Sequence, residues 1–240
     1  MILPSLWRSR SSPWSVDLPI AQIGGKLLKA LSKMDGQSLR AVLRNETDVL
    51  HNKLHAQFSF AALLDGTLQR SEYRALIQRL YGFYAPLDDA VLKALTVDDV
   101  SAPTFWYEKR SRLIAQDIRD LEGDHDNVST GPTCREIAQV VTPKTVGGVL
   151  YVVEGATMGG ALINKAAEKL LSTENILGRR YWDWCRVEGR NRWRMTLQYL
   201  DHLQSSASSL DDVVSGAKDT FRLLDDWLAP LDPRPKQGAV

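Results

Sequence analysis

Four polar residues near the start of the chain have types and spacing that suit ligand binding. Arg44, Thr47, His51 and His55 follow one another at intervals of three or four residues in LRNETDVLHNKLH. Residues three and four apart lie on the same face of an α-helix, so a helix here presents all four side chains on or near one face. Leucines fill the adjacent stripe, which predicts that at least one histidine lies at the edge of the core.

Two roles are open for these histidines. A lone histidine at the edge of a core is usually a hydrogen-bonded structural residue, whereas a neutral imidazole is also a common metal ligand. His51 and His55 could hold zinc, but HNKLH lacks the glutamate of the HExxH motif and no obvious third ligand accompanies it. We therefore do not expect a zinc site.

A second unusual segment carries five glycines between Gly147 and Gly160. It lies within TPKTVGGVLYVVEGATMGGALINKAAEKLL, residues 142–171, which otherwise has the composition of one long helix. Glycine in a helix interior costs about 0.5–1 kcal/mol relative to alanine, so the missing side chains need an explanation. Either another helix packs closely against this backbone, or a flat ligand lies across it.

Composition limits the remaining possibilities. With 240 residues, 44% of them hydrophobic, the chain can build one sizeable core, so a single large domain is expected. The net charge of +1 gives no global electrostatic reason to bind nucleic acid. Cys134 and Cys185 lack the spacing of a disulfide framework, which fits a reducing compartment. Glu154 and other polar residues interrupt the longest apolar runs, so no membrane span is expected.

The beginning of the chain differs from the rest. Residues 1–16 contain two arginines, five serines and no acidic residue. Such a composition fits an organellar transit peptide, although a poorly ordered extension or a start codon placed too early explains it better. We predict an N-terminal extension over 1–36, a main domain over 37–230 and a tail over 231–240, and we expect a cytoplasmic protein.

Hydrophobic periodicity and capping signals predict helices in nearly every segment after Ser38. Pro86 is expected to end one helix and begin the next. The predicted helices cover approximately residues 39–58, 71–85, 86–95, 105–121, 142–171, 191–203 and 209–228. Strand signals are few, so the predicted fold class is all-α.

The two unusual segments resemble the haem (heme) oxygenase family. LRNETDVLH is similar to the family's first-helix motif, whose histidine is the proximal ligand of haem iron, and GGVLYVVEGATMGGALI resembles its distal-helix motif. Weaker matches are GTLQRSEYRALIQRLYGFYAPLDDAV, the spacing of Gly189 and Trp193, and TFRLLDDWL. The resemblance covers about Leu39 to Leu228.

This resemblance implies a haem oxygenase-like helical bundle in which haem is sandwiched between a proximal and a distal helix. It implies an enzyme that uses O2 to cleave haem, both substrate and cofactor, to biliverdin, carbon monoxide and Fe2+. Electrons would come from an external ferredoxin, flavodoxin or reductase, since the sequence has no flavin or dinucleotide fingerprint. The other partner to consider is a bilin-using photoreceptor. A protein that keeps this fold but lacks the haem site could also bind such a photoreceptor.

The resemblance also implies roles for individual residues. His51 corresponds to the metal ligand, and Gly155 and Gly159 correspond to catalytic positions where the distal backbone comes close to the iron. Thr47 belongs to the haem-binding motif. Arg44 matches a basic position that pairs with a haem propionate, although a solvated surface arginine explains it equally well.

Three further positions follow from the resemblance. Tyr84 matches a tyrosine near the distal side, although a core tyrosine explains it almost as well. Arg192 and Arg194 lie where the family has basic residues facing the other propionate. His55 has no matching ligand role.

One position departs from part of the family. Some members carry an aspartate directly after the first distal glycine, where it organises water, and this chain has Ala156 there. Bacterial relatives without the aspartate rely on backbone groups and ordered water. Thr157 would substitute only if its hydroxyl turned toward the pocket, and a bond within its own helix is the simpler expectation. Ala156 thus leaves open a non-catalytic protein that stores or senses haem.

Overall fold

The computed structural model describes residues 38–96, 105–122, 131–205 and 209–232, which are helical with no strand among them. The all-α prediction is confirmed. The predicted extension over 1–36 and most of the predicted tail lie outside the described residues. The helices are α1 (Leu39–His55), α2 (Phe58–Asp65), α3 (Arg70–Leu95), α4 (Ser111–Glu122), α5 (Ile137–Val140), α6 (Val146–Ala156), α7 (Gly160–Leu171), α8 (Arg180–Ser205) and α9 (Leu210–Leu228).

Helix α9 lies against both the histidine-containing helix α1 and the glycine-rich helix α6. Helix α8 packs against α6 and α7. One apolar cluster is shared by α1, α6, α8 and α9, and a larger one fills the rest of the bundle. The buried members of the shared cluster are Leu39, Leu43, Val152, Leu200, Val213, Ala217 and Phe221.

The predicted break at Pro86 is wrong, because α3 runs through this residue. Proline has no N–H, so a proline inside a helix leaves the carbonyl four residues earlier without its helical donor. That carbonyl belongs to Gly82, and it accepts a hydrogen bond from the N–H of Cys134 at 2.9 Å. A Cβ on residue 82 would lie 2.0 Å from the carbonyl oxygen of Pro132. The absence of a side chain at Gly82 therefore lets the segment with Pro132 and Cys134 approach closely enough to donate the replacement hydrogen bond.

Two helix starts were also predicted wrongly, because carboxylates from other helices cap them. Helix α4 begins at Ser111 rather than near residue 105, and the Ser111 N–H donates to Asp88 on α3 at 2.8 Å. Helix α8 begins at Arg180 rather than near residue 191. The N–H groups of Arg180 and Tyr181 donate to Asp117 on α4 at 2.6 and 3.0 Å.

The first helix, α1, ends at His55 rather than near residue 58. Phe58–Asp65 forms a separate helix, α2, that the periodicity did not predict.

The glycine-rich segment is not one continuous helix. A 3-10 turn over Thr157–Gly159 separates α6 from α7. A Cβ on Gly148 would lie 1.9 Å from the carbonyl oxygen of Val213, and one on Gly160 would lie 2.2 Å from the Cβ of Cys185. A Cβ on Gly159 would meet no atom within 4 Å. Helix packing thus explains Gly148 and Gly160, but not Gly159.

One described helical run, Val146–Leu171, is long and apolar enough to cross a membrane by length and composition alone. Polar residues such as Glu154 therefore do not interrupt this run enough to exclude a membrane span by composition alone, contrary to our expectation. Of the most apolar 18-residue stretch of this run, 56% is buried inside the protein. Its Glu154 forms ion pairs with residues of other elements. These properties are typical of a core helix, and we interpret the run as one.

We predict that Gly160→Ala lowers the free energy of unfolding by about 1–3 kcal/mol, because the added methyl group overlaps Cys185. Gly159→Ala is the matched control, since its methyl group enters open space. Urea denaturation of both variants and the wild type measures the difference. Equal stability of the two variants would contradict the assignment of Gly160 to helix packing.

Candidate functional site

His51 lies at the solvent edge of the core face of α1. Thr47, one turn earlier on that face, is buried, whereas the His51 side chain is exposed. The rings of His51 and Phe221 on α9 meet edge to face with 6.1 Å between their centroids. The Nε2 atom of His51 lies 3.0 Å from Nε2 of His55, so one ring donates a hydrogen bond to the other. His51 is therefore accessible to a ligand that can replace this bond.

Thr47 on α1 and Tyr151 on the distal helix α6 lie near each other. Thr47 is 2% exposed, and its hydroxyl donates a hydrogen bond to the carbonyl oxygen of Leu43 at 2.7 Å. Burial raises the pKa of Tyr151, so its hydroxyl keeps its proton at neutral pH. His51 follows Thr47 by four residues and Gly155 follows Tyr151 by four, which is about 6 Å along each helix. His51 and Gly155 thus each lie one turn beyond this pair of residues on their own helix.

Arg44 lies one turn before Thr47 on the same helix. Its side chain is half-buried, and its guanidinium lies on the side of α1 near Tyr151. The structure therefore brings Arg44, Thr47 and His51 to one side of α1, beside the start of the distal segment. This is the arrangement that the helical spacing predicted.

Gly155 lies beneath an aromatic pair. The rings of Tyr151 and Trp193 are 5.5 Å apart, and a Cβ on Gly155 would lie 3.4 Å from Trp193. That distance is an ordinary van der Waals contact, so the indole covers the glycine without excluding a methyl group. Gly155 consequently borders α8.

The segment around Gly159 presents small and apolar groups to the outside. Ala156 and Gly159 are exposed, and Met158 and Leu162 are 49% and 47% exposed. We call these four residues the distal apolar face. Glycine here leaves the backbone open to contact, although no neighbouring element requires the missing side chain. Such a surface suits a flat apolar ligand.

A buried ion cluster lies behind this face and was not predicted. Glu154 is 0% exposed and forms salt bridges with Arg110 and Arg192, the latter at 2.6 Å. Burial alone would raise the pKa of Glu154, but the two guanidinium groups hold it below the usual value of 4.5. Arg192 also donates to the carbonyl oxygen of Trp106 at 2.7 Å. A lone carboxylate in an apolar helix signals such partners, since a buried charge must be paired.

This cluster changes the assignment of one arginine. The sequence placed Arg192 and Arg194 opposite a haem propionate. The structure instead commits the Arg192 guanidinium to Glu154, so its expected place at a propionate is wrong. Arg194 is exposed and donates to Asn191 at 2.7 Å. Its role at a propionate stays a prediction.

Tyr84 lies in the core. Its hydroxyl is 3.0 Å from the hydroxyl of Tyr181, and burial raises its pKa to about 12. It is 2% exposed and packs against Phe83 as well. These contacts explain Tyr84 as a structural residue, and a role toward a ligand stays a prediction.

The Thr157 hydroxyl donates to the carbonyl oxygen of Glu154, three residues earlier in the segment. It is buried, and the backbone of Gly189 on α8 closes over it. Thr157 therefore does not supply a polar group in place of the aspartate. The exposed position beside it carries only the methyl group of Ala156.

The residues at this site fit haem. Haem is a disc with an apolar rim, two propionates and an iron atom that accepts an axial imidazole. An accessible imidazole on α1, a distal apolar face with an open glycine, and exposed or half-buried arginines match these three features. Among the described residues, no group of three or more His, Cys, Asp or Glu side chains could hold a bare metal ion.

Comparisons with known proteins agree with this fit. The family model for heme oxygenase matches residues 37–229. The fold is similar to heme oxygenase-1 from Synechocystis sp. PCC6803 in complex with heme, with 18% identity, a TM-score of 0.68, and coverage of 82% of this chain and 93% of that one. The fold is also similar to heme oxygenase-2 from Synechocystis sp. PCC 6803 in complex with heme and NO. The identity is 20% and the TM-score is 0.69, with coverage of 81% of this chain and 85% of that one.

The heme oxygenase from Leptospira interrogans gives 17% identity, a TM-score of 0.64, and coverage of 81% of this chain and 100% of that one. A search of curated protein sequences finds no significant match.

We predict that Glu154→Leu lowers the free energy of unfolding by about 3–5 kcal/mol, because it leaves Arg110 and Arg192 as unpaired buried cations. Glu154→Gln should cost less, since the amide oxygen still accepts a hydrogen bond. Glu168→Gln is the control, because Glu168 pairs with Arg179 but is 46% exposed. Urea denaturation measures all three, and equal losses for positions 154 and 168 would contradict the prediction.

The same variants give a pH dependence. Because the pKa of Glu154 is depressed in the folded protein, its charge stabilises the fold above the usual, unfolded-state value of 4.5. The stability advantage of the wild type over Glu154→Gln should therefore be constant near neutral pH and shrink as the pH falls below that value.

Proposed function

Because the chain belongs to the heme oxygenase family, we propose that it binds haem between α1 and the distal segment of α6 and α7. We further propose that it cleaves haem to biliverdin, carbon monoxide and Fe2+. The reaction consumes O2 and electrons from an external donor, a ferredoxin, flavodoxin or reductase. The proposal includes a cytoplasmic location, which the unpaired cysteines Cys134 and Cys185 support.

The observation that supports this function most strongly is the difference between two neighbouring glycines. Gly160 is required by the close approach of α8, whereas Gly159 has no packing reason to lack a side chain. A helix with an unexplained glycine on an exposed apolar face is suited to contact with a flat ligand. In this family, the ligand that meets such a helix is haem.

Three residues of α1 would orient the ligand. His51 would supply the axial imidazole, after its hydrogen bond with His55 is released. Thr47 would act indirectly, since its buried hydroxyl bonds to the Leu43 carbonyl within α1 and supports the helix face that carries His51. Arg44 would pair with one propionate, and Arg194 with the other, as charge-assisted hydrogen bonds.

The distal segment would control access to the reacting centre. Haem supplies the iron that binds O2 and the ring that is oxidised. Because Gly155 and Gly159 carry no side chains, the backbone of the distal segment would be able to lie close to the ring and exclude bulk water from that side. Ala156 offers no carboxylate, so protons would have to arrive through water held by peptide groups.

A second candidate function rests on Ala156. A haem-binding protein without turnover, used for storage or sensing, needs the imidazole and the apolar face but not a proton supply. The exposed methyl group of Ala156 and the inward hydroxyl of Thr157 leave the distal side without a side-chain donor. This candidate and the enzyme differ in their organic product. A bilin-using photoreceptor remains the partner to test if biliverdin is formed.

We predict that His51→Ala loses the histidine-ligated haem spectrum and recovers it with added imidazole, because the substitution removes the axial nitrogen. His55→Ala should keep the spectrum, since its ring contacts His51 without a role toward iron. Absorption spectra of both haemin-loaded variants test this. The opposite pattern would show that the ligand is His55.

We predict that the haem-loaded protein, given a reductant in air with catalase present, yields biliverdin. Catalase removes free peroxide, so a bilin formed under these conditions arises at the site. Ala156→Asp should change the rate or the product ratio of an active enzyme, because a carboxylate would hold water on the distal side. Extraction and chromatography of the pigment measure both effects. Recovery of intact haem without bilin would favour the storage or sensor function.

A further inference from the structure

We propose that His51 and His55 form a chelating site for a late divalent transition metal, Cu2+ above all, which shares His51 with the haem site. The metal site itself is independent of the proposed function. Its competition with haem rests on that function, since it requires His51 to be the haem ligand.

The two imidazoles are close enough to bind one metal ion. Nitrogens about 2.0–2.1 Å from one metal are about 2.8–3.0 Å apart at 90° and about 3.3–3.4 Å apart in a tetrahedron. The Nε2 atoms of His51 and His55 are 3.0 Å apart in their present hydrogen bond, so small ring rotations bring them into either range. A structural zinc site needs further protein ligands, and no cluster of three is present among the described residues, whereas Cu2+ has the highest affinity for nitrogen ligands of the divalent first-row metals. The pair therefore suits copper better than the zinc considered from the sequence.

Both ligands are able to reorient. His51 and His55 are exposed, and their four-residue spacing on α1 keeps them one turn apart. Their present contact requires one shared N–H, and a metal ion would replace that proton after a rotation of each ring. Since no larger cluster of His, Cys, Asp or Glu exists among the described residues, water would complete the coordination.

The shared histidine makes the two ligands mutually exclusive. A metal held by His51 and His55 occupies the nitrogen that would otherwise bind haem iron. Copper has the highest affinity for nitrogen ligands among the divalent first-row metals, so it is the strongest competitor. Haem loading of the protein would therefore depend on the concentration of free copper. His55 would thus be a metal ligand, although haem binding alone assigns it no role.

The site is tested by titrating the haem-free protein with Cu2+ and recording electron paramagnetic resonance spectra. We expect one strong site with hyperfine splitting from two imidazole nitrogens. His55→Ala should bind Cu2+ at least tenfold more weakly, with one imidazole, and His51→Ala should behave likewise. His202→Ala, which removes an exposed histidine on α8, is the matched control and should match the wild type. Unchanged affinity and splitting in His55→Ala would overturn the site.

Competition is tested by adding haemin to protein that carries one equivalent of Cu2+. The Soret band should develop at least tenfold more slowly in the wild type than without copper, and at nearly its normal rate in His55→Ala. Copper binding by both histidines without any effect on haemin would overturn the sharing of His51. A wild type that fails to bind haemin at all contradicts the proposed function instead, while the copper titration still decides the metal site.

Discussion

The carboxylate of Glu154 lies in α6, the most apolar of the described helices, and its charge must be compensated where it is buried. Arg192 on α8 and Arg110 at the start of α4 supply that compensation. Removing one partner of a buried ion pair is far more costly than losing a surface pair, so these elements cannot move independently. Gly155 follows Glu154 directly, and the 3-10 turn begins two residues later. The charge requirement thus positions the segment that carries the distal apolar face.

Glycines in one segment serve two different purposes. Gly148 admits α9, which holds α1, and Gly160 admits α8. Gly159, next to Gly160 in the chain, borders open space. The first two bring the helices close enough to form the site, and the third leaves the site accessible. Packing and ligand binding are therefore complementary explanations of the glycine-rich sequence.

Local signals in the sequence predicted most of the fold, because the physical causes are local. Ser209 caps α9 by accepting a hydrogen bond from the Asp212 N–H, and α9 starts and ends close to the predicted positions. The proximal and distal motifs could be proposed from the family resemblance for the same reason, since each is a continuous stretch.

Long-range contacts were not accessible from the sequence. Pro86 stays within α3 because a distant N–H bonds to the free carbonyl, and Asp117 begins α8 from another helix. Arg192 was assigned to a propionate because its partner Glu154 is 38 residues away.

We propose that Gly159 faces haem, and a Soret titration of Gly159→Leu with haemin tests this most directly. We predict at least tenfold weaker binding with an unchanged melting temperature, whereas a collapsed melting temperature with normal haem binding by the remaining folded protein would contradict the claim.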